Sequence, residues 1–155
     1  MNWDAIGAIG EIVGAAAVVV SLVYLGSQIR TQNREARVAS VHQVLHEYST
    51  AISALREPEL ADVWVAAIED FDSLSASQRL RFVIYLMVAV RSFEAAYFQW
   101  REGRLEDNVW HPLLTSLVDV KSTEAFARFW KLRRHQFQPG FANYVDGLER
   151  GKYSF

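Results

Sequence analysis

The most apolar part of the chain lies close to its first residue. Residues 5–25, AIGAIGEIVGAAAVVVSLVYL, form a near-continuous apolar run in which Glu11 is the one charged residue. A helix needs about 20 mostly apolar residues to cross a bilayer core of roughly 30 Å. Trp3 and Tyr24, both of types that favour membrane interfaces, are 21 residues apart, which corresponds to about 32 Å of helix. The pattern predicts a transmembrane anchor over residues 1–27; the alternative is the buried core helix of a soluble protein.

Basic residues around this run predict its orientation. No Lys or Arg precedes Arg30, whereas a cleaved secretory signal begins with positive charge. Arg30, Arg34 and Arg37 follow the run closely, so the positive-inside rule puts the N-terminus outside and residues 28–155 in the cytoplasm. The predicted location is the inner (cytoplasmic) membrane, crossed once. The three arginines are also candidates for binding anionic lipid headgroups, each with a binding free energy of about 1 kcal/mol. The alternative is that they only determine the orientation of the span.

Small residues recur at alternating three- and four-residue steps and form one strip along the predicted span: Gly7, Gly10, Gly14, Ala17 and Ser21. In lipid, such a strip lets two helices approach closely, which predicts association with a second copy or with another membrane subunit. Glu11 lies beside the strip. Because an ionised carboxylate is costly in hydrocarbon, it is expected to be protonated, paired or turned to a protein-lined or aqueous cavity. If the span instead covers residues 10–29, Glu11 lies near the membrane surface and needs no partner.

Helical spacing continues beyond the apolar run. Apolar residues at that spacing form a stripe that must pack on other elements: Val38, Val41, Leu45, Tyr48, Ile52 and Leu55. Pro58 fits the first residue of a helix over 58–69. Ser75 begins a capping-box motif that opens a helix ending at Gly103. Residues 82–90 of that helix, FVIYLMVAV, are apolar on every side and are predicted to lie at the centre of the bundle.

Three shorter helices are predicted in the remaining third of the chain. Asp107 is the expected N-cap of a helix that bends or restarts at Pro112. Ser122 or Thr123 caps the next helix, and a last helix is expected near residues 141–149. Strand patterns are nearly absent. The predicted fold class is therefore all-α, with an N-terminal transmembrane helix continuing into a cytoplasmic helical bundle.

Composition narrows the range of functions. The chain carries 16 basic and 18 acidic residues, has a net charge of −2 and contains no cysteine. With Asp4 and Glu11 set apart in or near the span, 16 acidic residues balance the 16 basic ones, so no electrostatic attraction to nucleic acid is expected. The sequence contains no phosphate-binding loop, dinucleotide fingerprint or nucleophile motif. The chain is predicted to be non-enzymatic and to need no cofactor.

Two groups of side chains are weak candidates for metal binding. His42 and His46 lie one helical turn apart, and two imidazoles at this spacing can share a metal, but a third ligand is needed and no HExxH motif is present. Glu69, Asp70 and Asp72 form an acidic cluster without the spacing or glycine of an EF-hand loop. Exposed histidines and a solvated acidic loop are the favoured interpretations, so no metal is predicted.

Three segments carry a resemblance to a group of known proteins. The opening WDAIGAIGEIVGAAAVVVSLVYLGSQIR, the stretch REPELADVW and the later RSFEAAYFQWREGRL resemble uncharacterised bacterial small single-pass membrane proteins. The resemblance covers much of the chain and implies an N-terminal span followed by a helical cytoplasmic domain. Its motifs are apolar and not catalytic, so it implies no activity.

Together these patterns favour a membrane-anchored helical protein that assembles with itself or serves as an accessory or scaffolding subunit of a membrane complex. Its expected partners are membrane lipid and either a second copy or another membrane subunit. The alternative is an oligomeric pore for ions or protons in which several copies place Glu11 around one axis. A metal-dependent activity at His42 and His46 is a third hypothesis.

Overall fold

Six α-helices make up most of the chain. A computed structural model describes residues 3–151, and the side chains of residues 11, 12 and 14–151. The helices are α1 (Trp3–Ser53), α2 (Pro58–Asp70), α3 (Ala76–Arg101), α4 (Asp107–Lys121), α5 (Glu124–Arg133) and α6 (Pro139–Gly147). Short 3₁₀ turns follow α1, α2 and α5, and no strand occurs within the described range. The all-α class predicted from the sequence is confirmed.

The chain divides into two compact units, Met1–Ala39 and Ser40–Phe155. Where it is described, the first unit consists of the N-terminal part of α1. The second contains the rest of α1 and the helices α2 to α6. The predicted boundary between anchor and cytoplasmic domain, after residue 27, concerns the edge of a membrane and stays a prediction.

Several helix ends follow directly from the local sequence. Pro58 begins α2, as predicted, because its missing N–H would have no partner in the first turn anyway. The predicted capping box opens α3: the Ser75 hydroxyl accepts from the backbone N–H of Gln78, whose side chain accepts in return from the Ser75 N–H. Beyond α3 the chain turns at Gly103, whose φ of +69° lies in the left-handed region that favours glycine.

The start of α4 differs from the prediction. Its N-cap is Glu106, which makes no capping hydrogen bond through its side chain, and Asp107 is already the first helical residue. The Asp107 carboxylate instead accepts a 2.7 Å hydrogen bond from the indole N–H of Trp100. The Asp107 carboxylate was expected to cap α4, and it instead makes a contact with α3. The helix passes through Pro112 without restarting.

The last two helices are capped by side chains. Thr123, one of the two candidates, caps α5 by accepting a 3.1 Å hydrogen bond from the backbone N–H of Phe126. The other candidate, Ser122, donates back to the carbonyl of Val118 at 2.7 Å within α4. Helix α6 begins at Pro139, two residues before the predicted start.

The core of the second unit is built around α3, which packs against α2, α4 and α5. The largest fully buried side chains come from α3, α4, α5 and α6: Phe82, Leu86, Val90, Trp110, Leu117, Phe126, Phe129, Phe141 and Val145. Several contacts between these helices join aromatic rings. Trp100 stacks on Trp110 with ring centroids 5.4 Å apart, and Tyr97 meets Tyr144 at 4.8 Å. Burial of such rings supplies much of the hydrophobic stabilisation of a small helical domain.

One side of α3 stays outside this core. Leu80, Ile84 and Val88 are 58%, 55% and 55% exposed, and their four-residue spacing places them in one line along the helix, here called the α3 ridge. The expectation that residues 82–90 would be buried on every side is therefore wrong for Ile84 and Val88. The other helices of the unit cover the remaining sides.

The predicted stripe is confirmed in part: Val41 and Tyr48 of α1, and Leu55 just after it, pack against the core. The most buried residues of α1 are Val44 and Ala51, and the ring of Tyr48 between them meets Phe93 at 5.7 Å. Leu45 and Ile52, members of the predicted stripe, remain about half exposed. Helical spacing therefore predicted part of the packed face and missed Val44 and Ala51, the two residues that are most buried.

Candidate functional site

The first candidate surface is the exposed apolar stretch of α1. By length and composition, the described part of this helix from Gly14 onwards is long and apolar enough to cross a membrane. Its most apolar window of 18 residues has a mean hydropathy of 1.2, and none of that window is buried. We call the described residues 11–25 the apolar stretch of α1. Its exposed large apolar side chains are Ile12, Val18, Val19, Val20, Leu22, Val23, Tyr24 and Leu25. The structure therefore buries none of the described side chains of this stretch.

The predicted strip of small residues lies on this stretch. Gly14, Ala17 and Ser21 are exposed, and a Cβ atom added at Gly14 would have no neighbour within 4 Å. The Ser21 hydroxyl donates to the carbonyl of Ala17 at 2.8 Å, so its one polar hydrogen is satisfied inside the helix. Glu11, beside the strip, is exposed. Gly7 and Gly10 lie outside the residues whose surroundings the structure describes.

A short polar segment follows the apolar stretch. Gln28 donates to the phenol oxygen of Tyr24 at 2.6 Å, and the hydroxyls of Ser27 and Thr31 bond back to carbonyls one turn earlier. The predicted headgroup ligands come next along the chain: Arg30, Arg34 and Arg37. All three are exposed and make no ion pair within the described residues. They are free to bind anions from solution or from a surface.

The structure brings no third metal ligand to the two histidines from the residues that it describes. His42 and His46 are both exposed on α1. Among the described side chains there is no cluster of three or more His, Cys, Asp or Glu that could hold a metal ion. In the acidic cluster, the carboxylates of Asp70 and Asp72 accept hydrogen bonds from other groups of the chain. Asp70 accepts from the backbone N–H of Asp72 at 3.0 Å, and the Asp72 carboxylate accepts from Arg128 at 2.9 Å.

The second candidate surface is a groove between α1 and α3 that the sequence did not predict. The C-terminal part of α1 and the exposed side of α3 form its walls, and the start of α2 closes one end. Its lining includes the apolar residues Ala51, Ala54, Pro58, Leu60, Ile84, Met87 and Val88. It extends along α3 from Arg81 to Arg91, ten residues or about 15 Å of helix. We call this surface the α1–α3 groove; the α3 ridge forms part of its wall.

A small cavity lies beneath the groove. Its volume is about 40 Å³, and its lining includes Ala51 and Tyr85, which also line the groove. Aromatic rings enclose much of it, and the Tyr48 hydroxyl donates to the Ser116 hydroxyl at 3.1 Å beside it. A cavity of this size holds about one water molecule. It is too small to be the binding site of an organic ligand.

Charged side chains border the groove at both ends. At one end Arg81 pairs with Glu59, and Glu57 is exposed without an ion pair among the described residues. At the other end Arg91 pairs with Glu94, whose side chain is 9% exposed. The Glu94 carboxylate also accepts from the backbone N–H of Gln138 at 2.7 Å. This second pair ties α3 to the segment that begins α6. It has a structural role in addition to bordering the groove.

The opposite end of α6 is also held by charge. The guanidinium of Arg134 and the indole of Trp130 both donate to the Asp146 carboxylate. The Arg134 hydrogen bond holds the pKa of Asp146 below its ordinary value, and the Trp130 hydrogen bond acts in the same direction. Lys121 donates to the carbonyls of Asp146 and Leu148, and burial lowers the pKa of its ammonium group. These contacts fix the helix and offer no open site for a substrate.

No protein family, curated protein or solved structure matches this chain. Functional inference therefore rests on the two exposed surfaces described above, the apolar stretch of α1 and the α1–α3 groove.

Proposed function

We propose that this chain is a non-enzymatic, membrane-anchored helical protein that assembles through its N-terminal helix. It does so with a second copy, or as an accessory or scaffolding subunit of a membrane complex. The observation that carries the proposal is the wholly exposed apolar window of α1. Seven Ile, Val and Leu side chains between Ile12 and Leu25 are exposed, and on an insertion scale they favour the bilayer by about 2–4 kcal/mol together. In water the same side chains would favour aggregation.

The charges that follow support one orientation. Arg30, Arg34 and Arg37 are exposed and unpaired within the described residues, as expected for cations that remain on the cytoplasmic side and contact anionic headgroups. The N-terminus then lies outside. The second unit, with its aromatic core, lies in the cytoplasm.

The strip of small residues supports assembly within the membrane. Exposed Gly14, Ala17 and Ser21 leave a shallow face on which a second helix can pack closely. Glu11 adds a reason for a partner, because a carboxylate at a helix–helix seam avoids contact with lipid. In a single helix without a partner, the Glu11 carboxylate would contact lipid unless the helix lay closer to the membrane surface.

Location and orientation can be tested with single cysteines, since the chain has none. Asn2→Cys and Glu149→Cys variants are expressed in bacterial cells and treated with a membrane-impermeant maleimide before and after lysis. Asn2→Cys is expected to react in intact cells, and Glu149→Cys only after lysis. Recovery of the intact chain in the soluble fraction as lone molecules would refute membrane anchorage. The reverse labelling pattern would refute the orientation alone.

Assembly can be tested with a matched pair of substitutions on the apolar stretch. Gly14→Leu fills the strip, whereas Ala16→Leu adds the same side chain about 200° around the helix. Native membranes are treated with an amine-reactive crosslinker. The yield of crosslinked adduct should be several-fold lower for Gly14→Leu than for wild type, whereas the yield for Ala16→Leu should be close to that of wild type. Equal adduct yields from all three proteins would contradict packing through the strip. An absence of any adduct from wild type would contradict assembly itself.

A pore is the second candidate, favoured by the exposed carboxylate of Glu11 within the apolar stretch. Copies arranged around an axis would turn these carboxylates inward and select cations. Proteoliposomes loaded with a pH-sensitive dye would then show proton or potassium flux that Glu11→Gln reduces. Flux that is absent, or equal in both proteins, removes the pore and leaves the scaffolding role unaffected.

A further inference from the structure

One line of exposed residues on α1 continues beyond the end of the apolar stretch. Tyr24, Gln28, Thr31, Glu35 and Val38 keep the alternating three- and four-residue steps of the small-residue strip, and all five are exposed. We call these five residues the polar seam. A spacing that averages 3.5 residues keeps one line of side chains facing a partner when two helices supercoil around each other. The spacing of the polar seam therefore suits a second helix that runs alongside α1.

The charges at the polar seam are not balanced by α1 itself. Glu35 makes no ion pair within the described residues, and the residues three and four positions away on either side of it are uncharged. Arg34 is also without an ion pair there, and it lies one turn from both Arg30 and Arg37. Its nearest charged neighbours on the helix surface therefore have the same sign, which is unfavourable. Both groups can gain a counter-charge only from outside the helix.

Distance from the membrane separates Arg34 from Arg30. The apolar stretch ends at Leu25, and Arg30 and Arg34 lie five and nine residues beyond it, or about 7.5 Å and 14 Å along the helix. The headgroup region on each side of a bilayer is about 5–8 Å thick, and salt screens exposed charges beyond about 8 Å. For a helix that leaves the membrane along its normal, the headgroup contact proposed above is therefore strongest at Arg30. Arg34 is left for an anion on a protein.

A second copy supplies that anion at the matching height. Two copies anchored by the same apolar stretch are parallel and in register, because the membrane fixes the direction and the depth of both. In a parallel coiled coil each seam residue enters a hole formed by four residues of the other helix. For Glu35 these four residues of the other copy are Thr31, Arg34, Glu35 and Val38. Each Glu35 carboxylate therefore lies beside the other copy's Arg34, and this attraction offsets the repulsion between the two carboxylates.

We infer that the polar seam forms a parallel, in-register coiled coil with a second copy of this chain, aligned by reciprocal ion pairs between Arg34 and Glu35. This inference rests on the self-assembly proposed above and extends its contact from the membrane into the segment that follows. Gln28 fits the same arrangement. Its amide donates one N–H to Tyr24 at 2.6 Å, which leaves its oxygen for the amide of the opposite Gln28. A polar residue at one seam position is a known means of fixing the register of a coiled coil.

Disulfide formation tests the geometry with a matched pair of variants. Because the chain has no cysteine, Val38→Cys places one thiol in the polar seam, and Ala36→Cys places one about 160° around the helix at nearly the same height. Both residues are exposed. Helix axes about 8–10 Å apart bring facing Cα atoms to about 5 Å, within the roughly 7 Å that a disulfide allows, and leave Cα atoms on the far sides about 13–14 Å apart. After oxidation of the full chain in liposomes with copper phenanthroline, Val38→Cys should give more than about five times the disulfide dimer of Ala36→Cys. Equal yields would overturn the inference.

Complementary charge variants test the ion pairs themselves. In Arg34→Glu both positions of the pair are acidic, and in Glu35→Arg both are basic, so like copies repel whereas unlike copies attract. Each variant alone should associate at least about tenfold more weakly than wild type, and a mixture of the two should come within about threefold of wild type. Association is measured by fluorescence energy transfer between full chains in liposomes as the lipid-to-protein ratio rises. Both variants also carry Glu149→Cys for labelling, with the donor dye on one and the acceptor on the other.

The outcomes separate this inference from the proposed function. Headgroup binding cannot make a mixture associate more strongly than either variant alone, so that result would support contact between Arg34 and Glu35 of two copies. A mixture no stronger than the separate variants, with wild type still associating, would overturn this interface and leave the proposed self-assembly standing. Wild type that never associates would refute both.

Discussion

The half-buried ion pair between Arg91 and Glu94 gives a sharp test of how the second unit is held together. The Glu94 side chain is 9% exposed, whereas the Arg91 side chain is 47% exposed. Glu94 also accepts from the backbone N–H of Gln138 at 2.7 Å, and Arg91 donates to the carbonyl of Gln136 at 2.6 Å. Glu94→Gln keeps the shape and one acceptor oxygen but removes the charge. We expect it to destabilise the unit clearly.

The size of the effect follows from the two contacts. If the amide oxygen of the introduced glutamine keeps the Gln138 contact, its NH₂ group faces the guanidinium, so two donors oppose each other. A hydrogen bond to a charged group contributes about 1.5–3 kcal/mol, and losing the charge removes part of this. The ion pair itself adds less than about 1 kcal/mol, because Arg91 remains half in water. Together the loss should be about 2 kcal/mol, below the roughly 3–5 kcal/mol expected when both partners are buried.

Urea unfolding of the full chain in a mild detergent, followed by tryptophan fluorescence, measures this loss. With a slope of about 2 kcal/mol per molar urea, the midpoint should fall by about 1 M. The control is Glu102→Gln, because the pair of Glu102 with Arg104 is exposed, at 55% and 63%. Its midpoint should move by less than about 0.3 M. Equal shifts in the two variants would show that burial of Glu94 contributes nothing to its stabilising effect.

Three further predictions concern other contacts. Thr123→Ala should destabilise the unit by about 1 kcal/mol through loss of the α5 cap, and Thr123→Ser should restore most of it in the same urea assay. Because the folded pKa of Asp146 is lowered, its stabilising contribution is complete above the unfolded value of about 3.9 and is lost as pH falls through the folded pKa. Asp146→Asn should therefore flatten the fall of thermal stability below about pH 4. Purified protein should contain no stoichiometric zinc by elemental analysis, because His42 and His46 have no third ligand among the described residues.

Features encoded in a few neighbouring residues could be predicted from the sequence. The start of α2 at Pro58 and the capping box at Ser75 depend on local hydrogen bonds and backbone angles. The left-handed turn at Gly103 depends on one residue lacking a Cβ atom. The apolar stretch of α1 depends on composition over one helix. None of these requires knowledge of what packs against what.

Features that depend on distant partners could not be predicted in this way. Asp107 looked like a helix cap, but Trp100 on α3 competes for its carboxylate. The burial of Glu94 depends on the backbone of Gln138, which is 44 residues away in the chain. The groove required the relative placement of α1, α2 and α3. In each case the deciding contact joins elements that only the folded chain brings together.

The disagreement over α3 is itself informative about assembly. A helix that is apolar on every side is expected where neighbours surround it completely. In the described part of the chain, the large apolar side chains of α3 that remain exposed are Leu80, Ile84 and Val88. The apolar pattern of a helix reflects every surface that is buried in the assembled protein, including a surface that a partner covers. The apolar line that remains exposed is therefore where a further partner is expected. If single-cysteine crosslinking finds no partner at this line, the excess of apolar residues on α3 will need an explanation in folding rather than in assembly.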